Sequence, residues 1–130
     1  MNYSLRMRVV VSSEDESQGL AIQNELANLC SKLSFSPMRL EPSLEGCLEF
    51  AASGMVEEQE RTLLVETLDN DWDYDEEDDL YWAYGFNTKL FDQRVYYLEL
   101  EFSKITKIDK LKSANLGGFF FTQFYFELIW

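Results

Sequence analysis

The residues of this chain best suited to chemistry are carboxylates concentrated in one acidic, aromatic segment. Eight of the eleven residues from Asp69 to Asp79 are Asp or Glu, and two of the remaining three are Trp72 and Tyr74. Carboxylates this close repel one another, which predicts a solvated loop at about residues 69–79. Exposed aromatic rings provide contact area at low entropic cost, and the charges attract a cationic partner.

We therefore predict that this acidic segment, with the aromatic residues that follow it, binds a partner. The predicted partner-binding residues are Asp69, Asp71, Trp72, Asp73, Tyr74, Asp75, Glu76, Glu77, Asp78, Asp79, Tyr81 and Trp82.

Two other chemistries of clustered carboxylates are weighed by their spacing. The alternation of Asp69, Asp71 and Asp73 resembles the start of a calcium-binding EF-hand loop, which needs Gly at its sixth position and Glu at its twelfth. Those positions hold Tyr74 and Leu80, so no EF-hand is predicted, although a looser calcium site stays open. A catalytic carboxylate pair needs a cleft on a rigid framework, which a loop does not provide. No metal or other cofactor is predicted.

The absence of histidine narrows the possible enzyme chemistry further. With no histidine in the sequence, Ser-His-Asp and Cys-His mechanisms are excluded. The two cysteines, Cys30 and Cys47, lie among apolar neighbours and are predicted to be buried free thiols. No glycine-rich phosphate loop is present. A carboxylate-based or metal-dependent enzyme remains an alternative to a binding protein.

The charge of the chain indicates which kind of partner it attracts. The net charge is −13, and residues 57–79 hold twelve of the 24 acidic residues but only one base, Arg61. Nucleic acid and anionic membrane surfaces are bound by Lys and Arg clusters, so neither is expected as a partner. A protein with a positive surface is the expected partner.

The size and hydropathy of the chain indicate one cytoplasmic domain. Its 130 residues, 46% of them hydrophobic, suffice for one core, so residues 1–130 are predicted to be a single domain. No apolar stretch approaches the ~20 residues needed to span a bilayer, and no secretory signal is predicted after Met1.

The periodicity of the N-terminal third predicts a strand followed by a helix. Apolar residues alternate over Tyr3–Val11, which is typical of a half-buried strand. Helical spacing then predicts an amphipathic helix over Glu14–Leu33, begun by a capping box between Ser13 and Glu16. A loop containing both prolines is expected over Ser36–Ser43.

The remainder of the chain is predicted to be mostly β-structure. The predicted strands are Cys47–Ala52, Thr62–Thr67, Leu80–Asn87, Val95–Phe102 and Phe119–Trp130. Turns are predicted at Ser53–Gly54, Thr88–Asp92 and Asn115–Gly118, and a short helix or turn over Lys104–Lys112. The predicted fold class is α+β, with an N-terminal strand and one long amphipathic helix packed on a mainly antiparallel β-sheet.

In its small size, its acidity and its Asp69–Asp79 run with Trp72 and Tyr74, the chain resembles the immunity proteins of bacterial toxin systems, including contact-dependent growth inhibition. The resemblance implies a protein that binds a cognate basic toxin domain, often a nuclease, and neutralises it by occluding its active site. It also implies ion pairs from the acidic run to the toxin, with the tryptophans and tyrosines as anchors. The alternative inhibitor is a phage-encoded nucleic-acid mimic or an anti-restriction or anti-CRISPR protein.

Overall fold

A computed structural model describes residues 2–105 of the chain. These residues form one antiparallel sheet of seven strands and two helices, which confirms the predicted α+β class. The predictions for Asn115–Gly118, Phe119–Trp130 and most of Lys104–Lys112 lie outside the described residues. The elements in chain order are β1 (Asn2–Val11), α1 (Glu16–Leu29), β2 (Ser34–Phe35), β3 (Arg39–Leu40), β4 (Leu48–Glu57), α2 (Glu58–Leu68), β5 (Asp73–Asp75), β6 (Leu80–Tyr84) and β7 (Val95–Lys104).

Strand β1 lies in the middle of the sheet, whose strand order is β2-β4-β1-β7-β6-β5, with β3 also paired to β4. It pairs with β4 from Asn2 to Val11 and with β7 from Tyr3 to Val11, with one bulge near Val10. Because neighbouring side chains of a strand point to opposite faces, β1 contributes to both sides of the sheet.

One face of the sheet packs on both helices and forms the hydrophobic core. The odd-numbered residues of β1 are buried there, together with Ile22 and Leu26 of α1 and Leu64 and Leu68 of α2. Each of these side chains contributes about 1.5–3 kcal/mol when fully buried. Both cysteines are buried and free, as predicted. Neither of the two helices is long and apolar enough to cross a membrane.

Helix α1 confirms the predicted helix but is shorter at both ends. Its N-cap is Asp15, whose side chain accepts a hydrogen bond from the Ser17 backbone N–H at 2.9 Å. The predicted capping box is wrong, because Ser13 Oγ instead accepts from the Asp15 N–H at 3.0 Å. At the other end the helix stops at Leu29, four residues before Leu33.

Helix α2 includes Thr62–Thr67, which was predicted to be a strand, so that strand prediction is wrong. The two buried residues, Leu64 and Leu68, lie one helical turn apart, and a period of four places them on the core side. The Glu60 side chain also accepts a hydrogen bond from the Glu57 N–H at 3.0 Å, which satisfies a free donor at the helix start.

Strand β4 continues through the dipeptide that was predicted to be a turn. Ser53 and Gly54 pair with Arg6 and Leu5 of β1, so the turn prediction is wrong. A Cβ atom on Gly54 would lie 2.7 Å from the Lys32 carbonyl oxygen. Glycine at this position therefore marks a close approach of two backbones rather than a change of direction. The predicted Ser36–Ser43 loop similarly contains strand β3.

The connection between β6 and β7 is fixed to α1 by a small polar cluster. Arg94 binds Asp92 through two hydrogen bonds from its side chain, and its Nη1 donates to the Gln18 side chain at 2.8 Å. Glu25 lies 3.6 Å from Arg94 Nη2. Burial and the adjacent Asp92 carboxylate raise the pKa of Glu25 to about 7.

This raised pKa predicts a loss of stability between pH 5 and pH 8. The folded state favours protonated Glu25, so its contribution is complete below the unfolded value near 4.5 and is lost as the pH rises through about 7. Because this side chain is 42% exposed, solvent screening limits the effect to about 1 kcal/mol, or roughly 4 °C in Tm. Glu25→Gln should remove this pH dependence, and Glu14→Gln at an exposed position should retain it. Thermal melts at both pH values test this, and an unchanged fall in the Glu25→Gln variant contradicts it.

Candidate functional site

The acidic segment is a β-hairpin rather than the predicted solvated loop. Strand β5 pairs antiparallel with β6 from Asp73 opposite Trp82 to Asp75 opposite Leu80, and residues 76–79 form the turn. Every second residue of β5 is Asp, and Tyr74 between them lies opposite Tyr81. Aromatic pairing across the two strands therefore offsets the repulsion between their carboxylates.

One ion pair fixes this acidic hairpin to helix α2. Arg61 Nη2 lies 2.5 Å from Asp79 Oδ1, and the Tyr74 hydroxyl donates to the same oxygen at 3.1 Å. The guanidinium also lies over the rings of Tyr3 and Phe102, 5.0 Å and 4.9 Å from their centroids. Both sides of the Arg61–Asp79 pair are mostly buried, so solvent screens it less than a surface pair.

Trp72 and Tyr81, predicted as binding anchors, are half-buried against helix α2 and the core. The Trp72 indole N–H donates to the Val65 carbonyl oxygen of α2 at 2.8 Å, and its ring contacts the Tyr81 ring edge-on. Both side chains pack against the core cluster. They hold the hairpin against α2 and are only partly exposed. Tyr74 is 46% exposed, and its ring contacts Tyr81 at 4.4 Å.

Two of the predicted carboxylates are also used inside the fold. Asp69 is only 4% exposed, and its Oδ2 accepts a hydrogen bond from the Asp71 N–H at 3.1 Å. Asp75 is half-buried and accepts from the Glu77 N–H at 3.0 Å, which shapes the turn. Asp69 is thus inaccessible to a partner.

The remaining predicted carboxylates form the exposed acidic surface of the hairpin. They are Asp71, Asp73, Glu76, Glu77 and Asp78. Among residues 2–105, none of these five makes an ion pair, whereas Arg61, the only base of residues 57–79, is engaged by Asp79. Within residues 2–105 the structure therefore brings together five negative charges without ion pairs, on the hairpin and on the residue segment that leads into it.

Trp82 lies on the other face of the sheet, which neither helix covers. In the register of the sheet, Asp73, Trp82, Glu99 and Arg8 form one row across four strands. Trp82 is half-buried between two carboxylate-bearing strands. On this open face, Asp73 and Trp82 therefore lie side by side near the edge of the sheet, and Glu99 and Arg8 lie toward its centre.

An arginine and glutamate network on this open face was not predicted. Glu49 is 1% exposed and accepts hydrogen bonds from Arg8 Nη2 at 2.8 Å and from Arg39 Nε at 2.7 Å. Arg6 pairs with Glu101 on the same face. Two arginines on the solvent side of a central strand were the signal in the sequence, because such charges need carboxylate partners across the sheet.

The same network lines a cleft, and the carboxylates of this cleft are already engaged by neighbouring side chains. The carboxylates of Glu41, Glu49 and Glu101 each face an arginine, and Glu99 accepts a hydrogen bond from the Tyr97 hydroxyl at 2.8 Å. Paired carboxylates of this kind stabilise a sheet face more readily than they act as general bases. Across residues 2–105, no three Asp, Glu or Cys side chains converge to hold a metal ion.

Comparisons with protein-family models, curated proteins and solved structures find no match to this chain. The functional argument therefore depends on the geometry and charge of the hairpin and the open face.

The structure predicts that Arg61 holds the acidic hairpin in place. Arg61→Met should cost about 2 kcal/mol, because it leaves the mostly buried Asp79 without its cation, and should speed amide exchange in β5. In a double-mutant cycle with Asp79→Asn, the double variant should be about 1 kcal/mol more stable than the sum of the two single changes would give. Lys32→Met breaks the exposed pair with Glu60 and should cost under about 0.5 kcal/mol. If the effects of Arg61→Met and Asp79→Asn on the free energy of unfolding in urea are additive, the Arg61–Asp79 ion pair does not hold the hairpin in place.

Proposed function

We propose that this protein is an acidic inhibitor that binds a basic partner protein, a cognate toxin domain of the nuclease class, and occludes its active site. The observation that supports this most is the set of five exposed carboxylates without ion pairs among residues 2–105, on and beside a hairpin fixed by Arg61. Nucleases have positively charged substrate grooves, which such a surface complements. The cytoplasm is the compartment in which we propose that the two meet.

The rigidity of the hairpin, like its charge, supports the proposed binding. A flexible acidic loop would lose conformational entropy on docking, at a cost of about 1–2 kcal/mol per ordered residue. Here Asp79 is already held by Arg61 and Tyr74, and Asp75 by the turn backbone. The surface is preorganised, so more of the electrostatic attraction remains as binding free energy.

The placement of the carboxylates favours a local plug over a nucleic-acid mimic. A mimic needs negative charges spread over an extended face at phosphate-like spacing, whereas these unpaired carboxylates lie at one end and one edge of the sheet. On the open face, arginines neutralise Glu49 and Glu101 toward the centre of the sheet. The negative surface is thus narrow, as required to enter a groove.

Co-expression with the product of the adjacent gene tests the proposal. That product alone should arrest growth of the host, and adding this protein should restore growth and yield a stable one-to-one complex on purification. A neighbour that is harmless, or a toxic neighbour that neither binds this protein nor is inhibited by it, would contradict the proposed function.

Charge variants then test whether the acidic hairpin steers binding. Replacing Glu76, Glu77 and Asp78 by Gln, Gln and Asn should lower the association rate about tenfold at low ionic strength and flatten its salt dependence. The matched control removes three exposed charges elsewhere, as Glu14→Gln, Glu45→Gln and Glu66→Gln, and should change the rate less than threefold. Stopped-flow association with the purified partner measures both. Equal effects of the two triple variants would mean that only net charge matters.

A further inference from the structure

We propose that the interface with the basic partner extends along β6 to the turn at its far end, where Phe86 inserts into an apolar pocket of the partner. This inference rests on the proposed function and adds the second contact of the same surface. Among residues 2–105, Phe86 is the most exposed of the large hydrophobic residues, at 68%. With Tyr84 and Tyr96 it forms an aromatic patch at the surface, and exposed apolar patches beside polar residues mark interaction sites.

The turn that carries Phe86 is rigid, which distinguishes it from a mobile loop tip. Its backbone N–H groups are bonded on both sides, from Gly85 to the Tyr96 carbonyl at 2.8 Å and from Asn87 to the Tyr84 carbonyl at 3.0 Å. A Cβ atom on Gly85 would lie 2.4 Å from the Val95 carbonyl oxygen, so only glycine permits this close return to β7.

Neighbouring aromatic rings hold the Phe86 side chain in one direction. Its ring centroid lies 5.2 Å from that of Tyr84 and 5.8 Å from that of Tyr96. Tyr84 in turn contacts Tyr97 at 4.7 Å, and Tyr97 lies beneath the Arg8 guanidinium. A ring supported in this way loses little freedom on binding, which is typical of interface anchors.

The distance between the two turns suits one folded partner. Five residues of β6 separate the acidic turn from the Phe86 turn, and at ~3.3 Å per residue the strand spans about 13 Å. A standard interface buries ~800 Å² per partner, a patch about 28 Å across, which covers both turns. Asp73 and Trp82 lie between them on the open face.

The charge of this surface selects the occupant. The exposed Asp73 lies opposite Trp82 between the acidic turn and the aromatic patch, and a second copy of this chain would bring the same negative charges against this surface. The partner that fits is a protein with a cationic groove and an apolar pocket about 15–20 Å apart. This distance is the length of β6 plus the reach of one turn. The two contacts have different kinetic effects, since the charges of the acidic turn govern the association rate and the apolar anchor Phe86 governs the dissociation rate.

The test compares Phe86→Ala with Leu20→Ala, which truncates an apolar side chain of similar exposure (52%) on α1, across the sheet from the open face. Binding to the purified adjacent-gene product is measured by surface plasmon resonance. Phe86→Ala should raise Kd at least tenfold through faster dissociation, with the association rate and its salt dependence unchanged. Leu20→Ala should leave Kd within twofold.

The outcomes separate this inference from the proposed function. If the wild-type complex forms but Phe86→Ala binds within twofold of wild type, the Phe86 contact is wrong and the acidic inhibitor stands. If no complex forms, both are overturned.

Two measurements on the unbound protein test whether Phe86 has another role. A fall in Tm of more than ~5 °C in Phe86→Ala would show that Phe86 serves mainly to stabilise its own chain. A dimer that this substitution dissociates would assign the patch to self-association. Either result overturns the inference.

Discussion

The pairing of β1 with strands on both sides is the constraint on which the other elements depend. Ten residues of this strand set the register of β4 and β7, and from Tyr3 to Val9 its side chains alternate between an apolar face and a polar one. A shift by one residue would move Arg6 and Arg8 into the core and expose Leu5 and Met7, so only one register is stable. Both helices and the hairpin are placed relative to this strand.

The acidic hairpin shows how opposing effects of similar size are balanced. Two carboxylates about 4 Å apart repel by about 1 kcal/mol in water, and eight of the eleven residues from Asp69 to Asp79 are Asp or Glu. Against this, Trp72 packs on α2 with a hydrogen bond to Val65, and Arg61 satisfies Asp79 beneath a cluster of rings. The repulsion is thereby confined to side chains that face solvent, where an external cation relieves it.

The sequence predicted the features that follow from periodicity and missed those that depend on tertiary contacts. The alternation over Tyr3–Val11 specified β1, and helical spacing specified α1. For α2, the β-branched residues of Thr62–Thr67 favoured a strand by local propensity, but burial of Leu64 and Leu68 decided for a helix. The acidic segment was placed correctly at the surface, whereas the packing of Trp72 and the burial of Asp69 depend on α2 and could not be inferred from local sequence. Phe86 was overlooked because one aromatic residue in a turn has no periodic signal.

The short outer strands bear on how this protein behaves at high concentration. Within residues 2–105 the sheet ends in β5, of three residues, on one side and in β2 and β3, of two residues each, on the other. Long flat edges are templates for aggregation, and β5 adds Asp73 and Asp75 to its shortness as charged gatekeepers. The same carboxylates that attract a cationic surface thus keep copies of this chain from pairing edge to edge.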